Sequence, residues 1–230
     1  MWPEAKFESR LTPHCHFGLH EEWLKLYLAY PNDWRNRGLL GNRQVDSLRA
    51  WLKTGGLHDK RGNETSLAAR FHSEGTANLL LWELLWVNIV FSFNTAAWFV
   101  YQGNGIYTSS ELCLMLSVDA PHFLPRSIHS GILELVGLLE FTPIGAPLNQ
   151  GRVTRKGKRS IERHGLSSPT PEALNLSLEL LFQREGTNSL DTHKKLLFPW
   201  VVFGCDEQTV RLLLAGSRKF SWDRNTVRIK

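Results

Sequence analysis

One stretch near the amino end, His14-Cys15-His16-Phe17-Gly18-Leu19-His20-Glu21-Glu22, gathers imidazoles, a thiol and carboxylates more densely than any other. These are the groups from which metal sites and hydrolytic sites are built. His16 and His20 are four apart and would share one face of a helix. Zinc asks for a tetrahedron of such ligands. The spacing matches no zinc signature, and a further ligand would have to come from far along the chain. A polar helix start with a histidine–carboxylate hydrogen bond is the simpler expectation. For hydrolysis, His20 with Glu21 and Glu22 could position water or a divalent ion such as magnesium beside a phosphate. Glu83 is the remaining carboxylate of interest. It lies on an apolar helix, where an unpaired carboxylate is costly, so either a basic partner satisfies it or it serves chemistry. The chain has no phosphate-binding Gly-x-x-x-x-Gly-Lys-Ser/Thr loop, no dinucleotide fingerprint and no Gly-x-Ser-x-Gly elbow.

A second feature is electrostatic. The chain has 27 basic and 22 acidic residues, a surplus of five. The segment Asn149 to His164 carries that whole surplus, with Arg152, Arg155, Lys156, Lys158, Arg159 and Arg163 against Glu162 alone. Charge packed this tightly is the footprint of a polyanion partner, most often nucleic acid.

The elements that must position these groups follow from periodicity. After Pro125, the stretch Arg126 to Leu139 has Ile128, Ile132, Leu135, Val136 and Leu139 on one stripe, which predicts a helix. Leu138 to Thr142 reads as an extended run, Pro143 to Gly151 as a crossing, and Arg152-Val153-Thr154 as a returning strand. A preceding helix is expected at Ser109 to Ser117, capped by Thr108 or Ser109 with Glu111 in its first turn. Helix, helix, strand, turn and strand make a winged helix-turn-helix, in which the second helix enters the major groove and the hairpin flanks phosphates. Arg126 and His129 would then read the groove, with the basic run at the wing.

The pattern occurs once earlier. Gln44 to Thr54 has Val45, Leu48, Trp51 and Leu52 on one face, followed by Gly55-Gly56-Leu57, a charged turn holding Lys60 and Arg61, and Thr65-Ser66-Leu67. Displaced by 81 residues, Trp51-Leu52 and Gly56-Leu57 fall on Ile132-Leu133 and Gly137-Leu138. Arg43, Gln44, Ser47 and Arg49 would form the exposed face of this first unit.

From Leu84 to Tyr101 run 18 uncharged residues, the length of a membrane span. Asn88, Ser92, Asn94 and Thr95 interrupt the run and no basic cluster flanks it, so two buried helices divided at an Asn94-Thr95 cap are expected, with no membrane contact. The expected organisation is mainly α. A winged-helix-like unit occupies 1–75, buried central helices 76–104, a second winged unit with the basic wing 105–165, and C-terminal helices and tail 166–230. Helices at Glu172 to Arg184 and Asp206 to Leu214, with Asp206 as a cap, precede a strand or hairpin from Phe220 onward. Three dispersed cysteines argue against a disulfide framework and for a reducing cytoplasm. Met1-Trp2-Pro3-Glu4 does not read as a signal peptide.

The motifs Phe17-Gly18-Leu19-His20-Glu21-Glu22-Trp23-Leu24, Leu48-Arg49-Ala50-Trp51-Leu52, Leu81-Trp82-Glu83-Leu84, Ala97-Trp98-Phe99 and Phe220-Ser221-Trp222-Asp223 occur in this order. Together they resemble a bacterial domain-of-unknown-function family encoded beside DNA phosphorothioation genes. In that family the early motif usually reads His-Glu-Thr-Phe, where this chain has His20-Glu21-Glu22-Trp23. The resemblance implies a protein acting on double-stranded DNA in sulfur modification and phage defence. It would be a nickase, an endonuclease using a metal such as magnesium, and would work with ATP-using sulfur-transfer partners. A non-enzymatic DNA-binding regulator or assembly platform is the alternative, and a protein-interaction module with an acidic partner a third reading. A homodimer stays open.

Overall fold

The uncharged centre of the chain bends by 101° between a helix at Leu79–Ser92 and another at Asn94–Tyr101. The computed structural model describes residues 11–155 and 159–230. Counted from the amino end these helices are α4 and α5, and α1 (Glu21–Ala29), α2 (Asn42–Thr54) and α3 (Ser66–Glu74) precede them. The break falls at Phe93, whose backbone is extended, so Asn94 is the first helical residue and not the cap. Leu81 to Val87, Ile89 and Val90 are all buried on α4. A helix apolar on every side must be enclosed by protein or by lipid. Here protein encloses it. The indole N–H groups of Trp82, Trp86 and Trp98 donate to Thr76 O, Val202 O and Asp119 Oδ2 at 2.7–3.0 Å. No single helix among the described residues is long and apolar enough to cross a membrane.

After α5 come β1 (Gly105–Thr108), α6 (Ser109–Asp119), α7 (Pro125–Phe141), β2 (Arg152–Thr154) and β3 (Ser160–Arg163). Thr108 and Glu111 close a reciprocal capping box at the start of α6. The strands form an antiparallel sheet of order β1-β3-β2, with Val153 opposite Ile161 and Tyr107 opposite the same residue on the other side. The chain then runs through α8 (Pro171–Glu185), β4 (Ser189–Asp191), α9 (Pro199–Phe203), α10 (Glu207–Leu213), β5 (Phe220–Asp223) and β6 (Thr226–Ile229). A second antiparallel sheet has the order β4-β6-β5. Asp206 caps α10 by accepting from the Thr209 amide at 2.7 Å. The fold is mainly helical, as expected, and one buried cluster joins Leu24, Trp51, Trp86, Ile132, Ile161, Leu178 and Val227.

Three local expectations are corrected. The first is the strand at Leu138 to Thr142, because α7 continues through Gly137 to Phe141. Gly137 does not end the helix; it lets another backbone approach. A Cβ on Gly18 would overlap the Leu138 amide nitrogen, and one on Gly137 would sit 3.1 Å from Gly18 Cα. The second is the return strand of the earlier unit. Only a His58–Glu64 bridge forms there, and Thr65 instead caps α3, accepting from Ala68 N while donating to Gly56 O at 2.6 Å. The third is the shared helix face of His16 and His20. Residues 13–16 are turns and helix begins only at Glu21.

Candidate nucleic-acid interface

Side chains alternate across a strand, and that period sorts the bases of β3. Ile161 and Arg163 point inward and are buried, while Glu162 between them is not. Arg163 was expected on the DNA face, and this expectation is corrected. Its guanidinium, 1 % exposed, donates to Val100 O at 2.8 Å, Val201 O at 3.0 Å, Val202 O at 3.1 Å, Gly103 O at 3.4 Å and Gln150 Oε1 at 3.2 Å. Several of these carbonyls lie at the carboxyl ends of α5 and α9, where helix dipoles favour a cation. Burial still lowers the guanidinium pKa to about 10.

Two further bases of the run are paired internally. Arg155 Nε donates to Glu140 Oε1 at 2.6 Å, and Arg159 Nη2 donates to the other carboxylate oxygen. Burial opposes ionisation of Glu140, but the two guanidiniums outweigh it and hold the carboxyl below its usual range. Arg152 is exposed at the start of β2 and makes no ion pair among the described residues. Lys156 and Lys158 lie outside the described residues. On α7, Arg126 and His129 are exposed, and their spacing of three puts them on one side of its first turns. Among the described residues, the basic run therefore divides into a buried anchor, Arg163, a pair held by Glu140, and Arg152, exposed where β2 meets the carboxyl end of α7.

The earlier unit offers a different surface. Gln44 accepts from the Gly41 amide at 2.8 Å as a cap, and Ser47 is buried, donating to Phe17 O at 3.4 Å. Arg43 reaches Cys15 O at 3.3 Å and lies over the Phe17 ring. Arg49 pairs loosely with Asp46 at 3.6 Å. Lys60 and Arg61 are exposed on the turn after Asp59.

The histidine-rich segment lies against both units. His14 is fully buried, stacked on Trp51 at 3.5 Å and bonded to Glu134 at 2.9 Å and to Thr54 Oγ1 at 2.9 Å. Left-handed backbone at Cys15 and His16 (φ 55° and 71°) accompanies a bond from the His16 amide to Glu134 Oε1 at 2.9 Å. Burial lowers the His14 pKa to about 3 and raises that of Glu134 to about 8, so the pair is uncharged overall between those values. This is a packed polar joint between α2 and α7.

His20 lies between the rings of Trp23 at 4.2 Å and Phe141 at 4.0 Å. Burial lowers its pKa, with Glu140 opposing. Beside it is a cleft of about 380 Å³ lined by Glu21, Glu140, Phe141, Thr142, Arg152 and Val153, among others. The fold thus brings Glu21 to the base of the wing, next to Arg152. Glu21 accepts from Thr76 Oγ1 at 2.8 Å and pairs with Lys25 at 3.1 Å. Glu22 is exposed and pairs with Lys25 at 2.8 Å. Glu83 belongs to another part of the molecule. It accepts from the Thr170 amide and hydroxyl, both at 2.8 Å, at the amino end of α8. The expected basic partner of Glu83 is replaced by a helix terminus; burial raises its pKa and the Thr170 bonds oppose that rise.

Sequence reasoning missed Glu140. Its signal was one acid ending an apolar helix that faces a basic hairpin. No group of three or more His, Cys, Asp and Glu side chains able to hold a metal occurs among the described residues. Glu21 and Glu140 share a cleft, but each is already bound by cationic side chains. The residues present do not fit a preformed magnesium site.

The fold is similar to that of SspB. A crystal structure of magnesium-ion-bound SspB aligns with a TM-score of 0.63 and 15 % sequence identity, over 95 % of this chain and 82 % of that one. At this identity the likeness is one of fold. No protein-family model matches the sequence, and comparison with curated proteins finds no relative.

Proposed function

We propose that this chain binds double-stranded DNA through α7 and the β2–β3 hairpin, as a component of a bacterial DNA phosphorothioation and phage-defence system. The observation that carries the reading is the run α5, β1, α6, α7, β2, β3 with sheet order β1-β3-β2. This order is compatible with a winged helix-turn-helix, in which the exposed first turns of α7 would meet the groove. Arg126 and His129 are exposed on the first turns of that helix, and Arg152 is exposed on the wing, beside the helix's carboxyl end. The order of motifs that resembles a phosphorothioation-associated family, together with the SspB-like fold, supports the cellular context. Sulfur-transfer enzymes consuming ATP are the partners this reading calls for.

The test is duplex binding by fluorescence anisotropy with Arg126→Ala, His129→Ala and Arg152→Ala, singly and combined. Each arginine that touches a phosphate should weaken binding uniformly across sequences, and a base-reading side chain should relax sequence preference at a cost of about 1–3 kcal/mol. Unchanged binding in the triple variant overturns the reading.

Strand nicking is a second reading, favoured by the cleft that sets Glu21, Glu140 and Arg152 beside the wing and His20 next to it. Conversion of supercoiled plasmid, with and without added magnesium, should be lost in Glu21→Gln and kept in Glu83→Gln. Full activity in Glu21→Gln removes that cleft as the site.

A further inference from the structure

A second cleft, of about 390 Å³, opens between the end of α5, the end of α6 and the loop from β4 to α9. Its size falls within the range of sites for small organic ligands, roughly 300–1,000 Å³. Tyr101, Asp119, His193, Lys194, Lys195 and Trp200 are among its lining. The loop is held in place by its backbone. The Thr192 amide donates to Asn225 O at 2.8 Å, the Lys194 amide to Asp191 O at 3.1 Å, and the Tyr101 hydroxyl to Lys195 O at 3.4 Å. Lys194 and Lys195 are exposed and make no ion pair among the described residues. Trp200 is half-buried and stacked on Phe198 at 4.3 Å, with the rings 7° from parallel. The one carboxylate in the lining, Asp119, is already an acceptor for the Trp98 indole at 2.9 Å.

Aromatic rings beside two exposed lysines that make no ion pair among the described residues suit an unpaired nucleotide. Every base offers a π-face for stacking, and the backbone offers a phosphate. We propose that this cleft binds a single-stranded nucleic-acid segment, with a base against the Trp200–Tyr101 side and phosphates on Lys194 and Lys195. The site is distinct from the duplex face, yet the two are tied together. Arg163 leaves the wing strand β3 and bonds Val100 O and Val201 O, the carbonyls next to Tyr101 and within the cleft wall. A duplex on the wing and a displaced strand in the cleft would then sit on one rigid support.

The experiment is anisotropy of a labelled oligothymidylate at 50 and 200 mM salt, with duplex binding titrated separately. Two lysine–phosphate contacts on a single strand predict about sevenfold weaker binding across that range. Lys194→Glu with Lys195→Glu should abolish that salt dependence. Trp200→Leu should weaken binding roughly fivefold or more, and Trp200→Phe, which keeps a ring, should recover most of it. Arg152→Ala should leave oligothymidylate binding unchanged, so failure of the duplex reading and failure of this one give different patterns. Wild-type oligothymidylate binding in the double lysine variant overturns the proposal. Thymidine monophosphate binding as tightly as the oligonucleotide would also overturn it, because the cleft would then take a free nucleotide instead of a strand.

Discussion

Replacing Arg163 with Met should unfold the protein more readily while leaving duplex affinity almost untouched. Burial alone disfavours this cation, since the fall of its pKa from 12.5 to about 10 corresponds to a penalty on the order of 3 kcal/mol. Against that stand bonds to four backbone carbonyls and to Gln150, each hydrogen bond from a charged donor contributing about 1.5–3 kcal/mol. Met keeps much of the volume and removes the donors, leaving the carbonyls of Val100, Val201 and Val202 without this partner. Val202 O keeps the Trp86 indole as a donor, and each buried acceptor left short of a partner costs about 1–3 kcal/mol, so the loss should be about 3–5 kcal/mol. In a chain of 230 residues that lowers Tm by about 6–20 °C. The assay pairs a thermal melt with a duplex titration well below the variant's Tm. An unchanged Tm, with a duplex salt slope shallower by about 0.9, the value of one lost phosphate contact, would refute the reasoning and return Arg163 to the DNA face.

Other substitutions probe the same geometry. Glu140→Gln frees Arg155 and Arg159, so duplex binding should tighten several-fold with a steeper salt slope, read by anisotropy; weaker binding would mean that Glu140 aligns these bases. Gly18→Ala forces a methyl group into the α7 backbone at Leu138, and urea denaturation should report a loss of about 3 kcal/mol or more, beyond ordinary overpacking. The His14–Glu134 joint should shape the pH dependence of stability. Glu134, raised from 4.5 to about 8, contributes stability that is full below pH 4.5 and is lost as pH rises towards 8. His14, lowered from 6.5 to about 3, contributes stability that is full above pH 6.5 and is lost as pH falls towards 3. The two cancel between pH 4.5 and 6.5, and stability then falls by about 2 kcal/mol from pH 6.5 to 8. Glu134→Gln should be flat over that upper range in urea melts at stepped pH, and an unchanged slope would assign it to other groups.

Much of the helical framework was legible because periodicity and caps are local. The stripe from Ile128 to Leu139, the Thr108–Glu111 box and the Asp206 cap each needed only neighbouring residues. Long-range contacts hid the rest. Gly137 looks like a helix stop, and only the approach of Gly18, more than a hundred residues earlier, makes it a packing position. Thr65 looks like a returning strand until α3 is seen to need its cap. The strand β1 carries no strong signal of its own and exists through pairing with β3. At the candidate site, net charge singled out the hairpin segment but not the fate of each base. The alternation of Ile161 and Arg163 across β3 could have shown that Arg163 faces inward; the pairing of Arg155 and Arg159 with Glu140 required the fold.

The most direct test of the duplex-binding face is the salt slope of duplex affinity between 50 and 200 mM, in the native chain and in one neutralised at Arg152, Arg155, Lys156, Lys158 and Arg159. The native chain should weaken by about 3.5-fold for each phosphate contact over that range, and the neutralised chain should lose those contacts from its slope. Equal slopes in the two chains would contradict a DNA-binding wing and assign the hairpin to protein contacts.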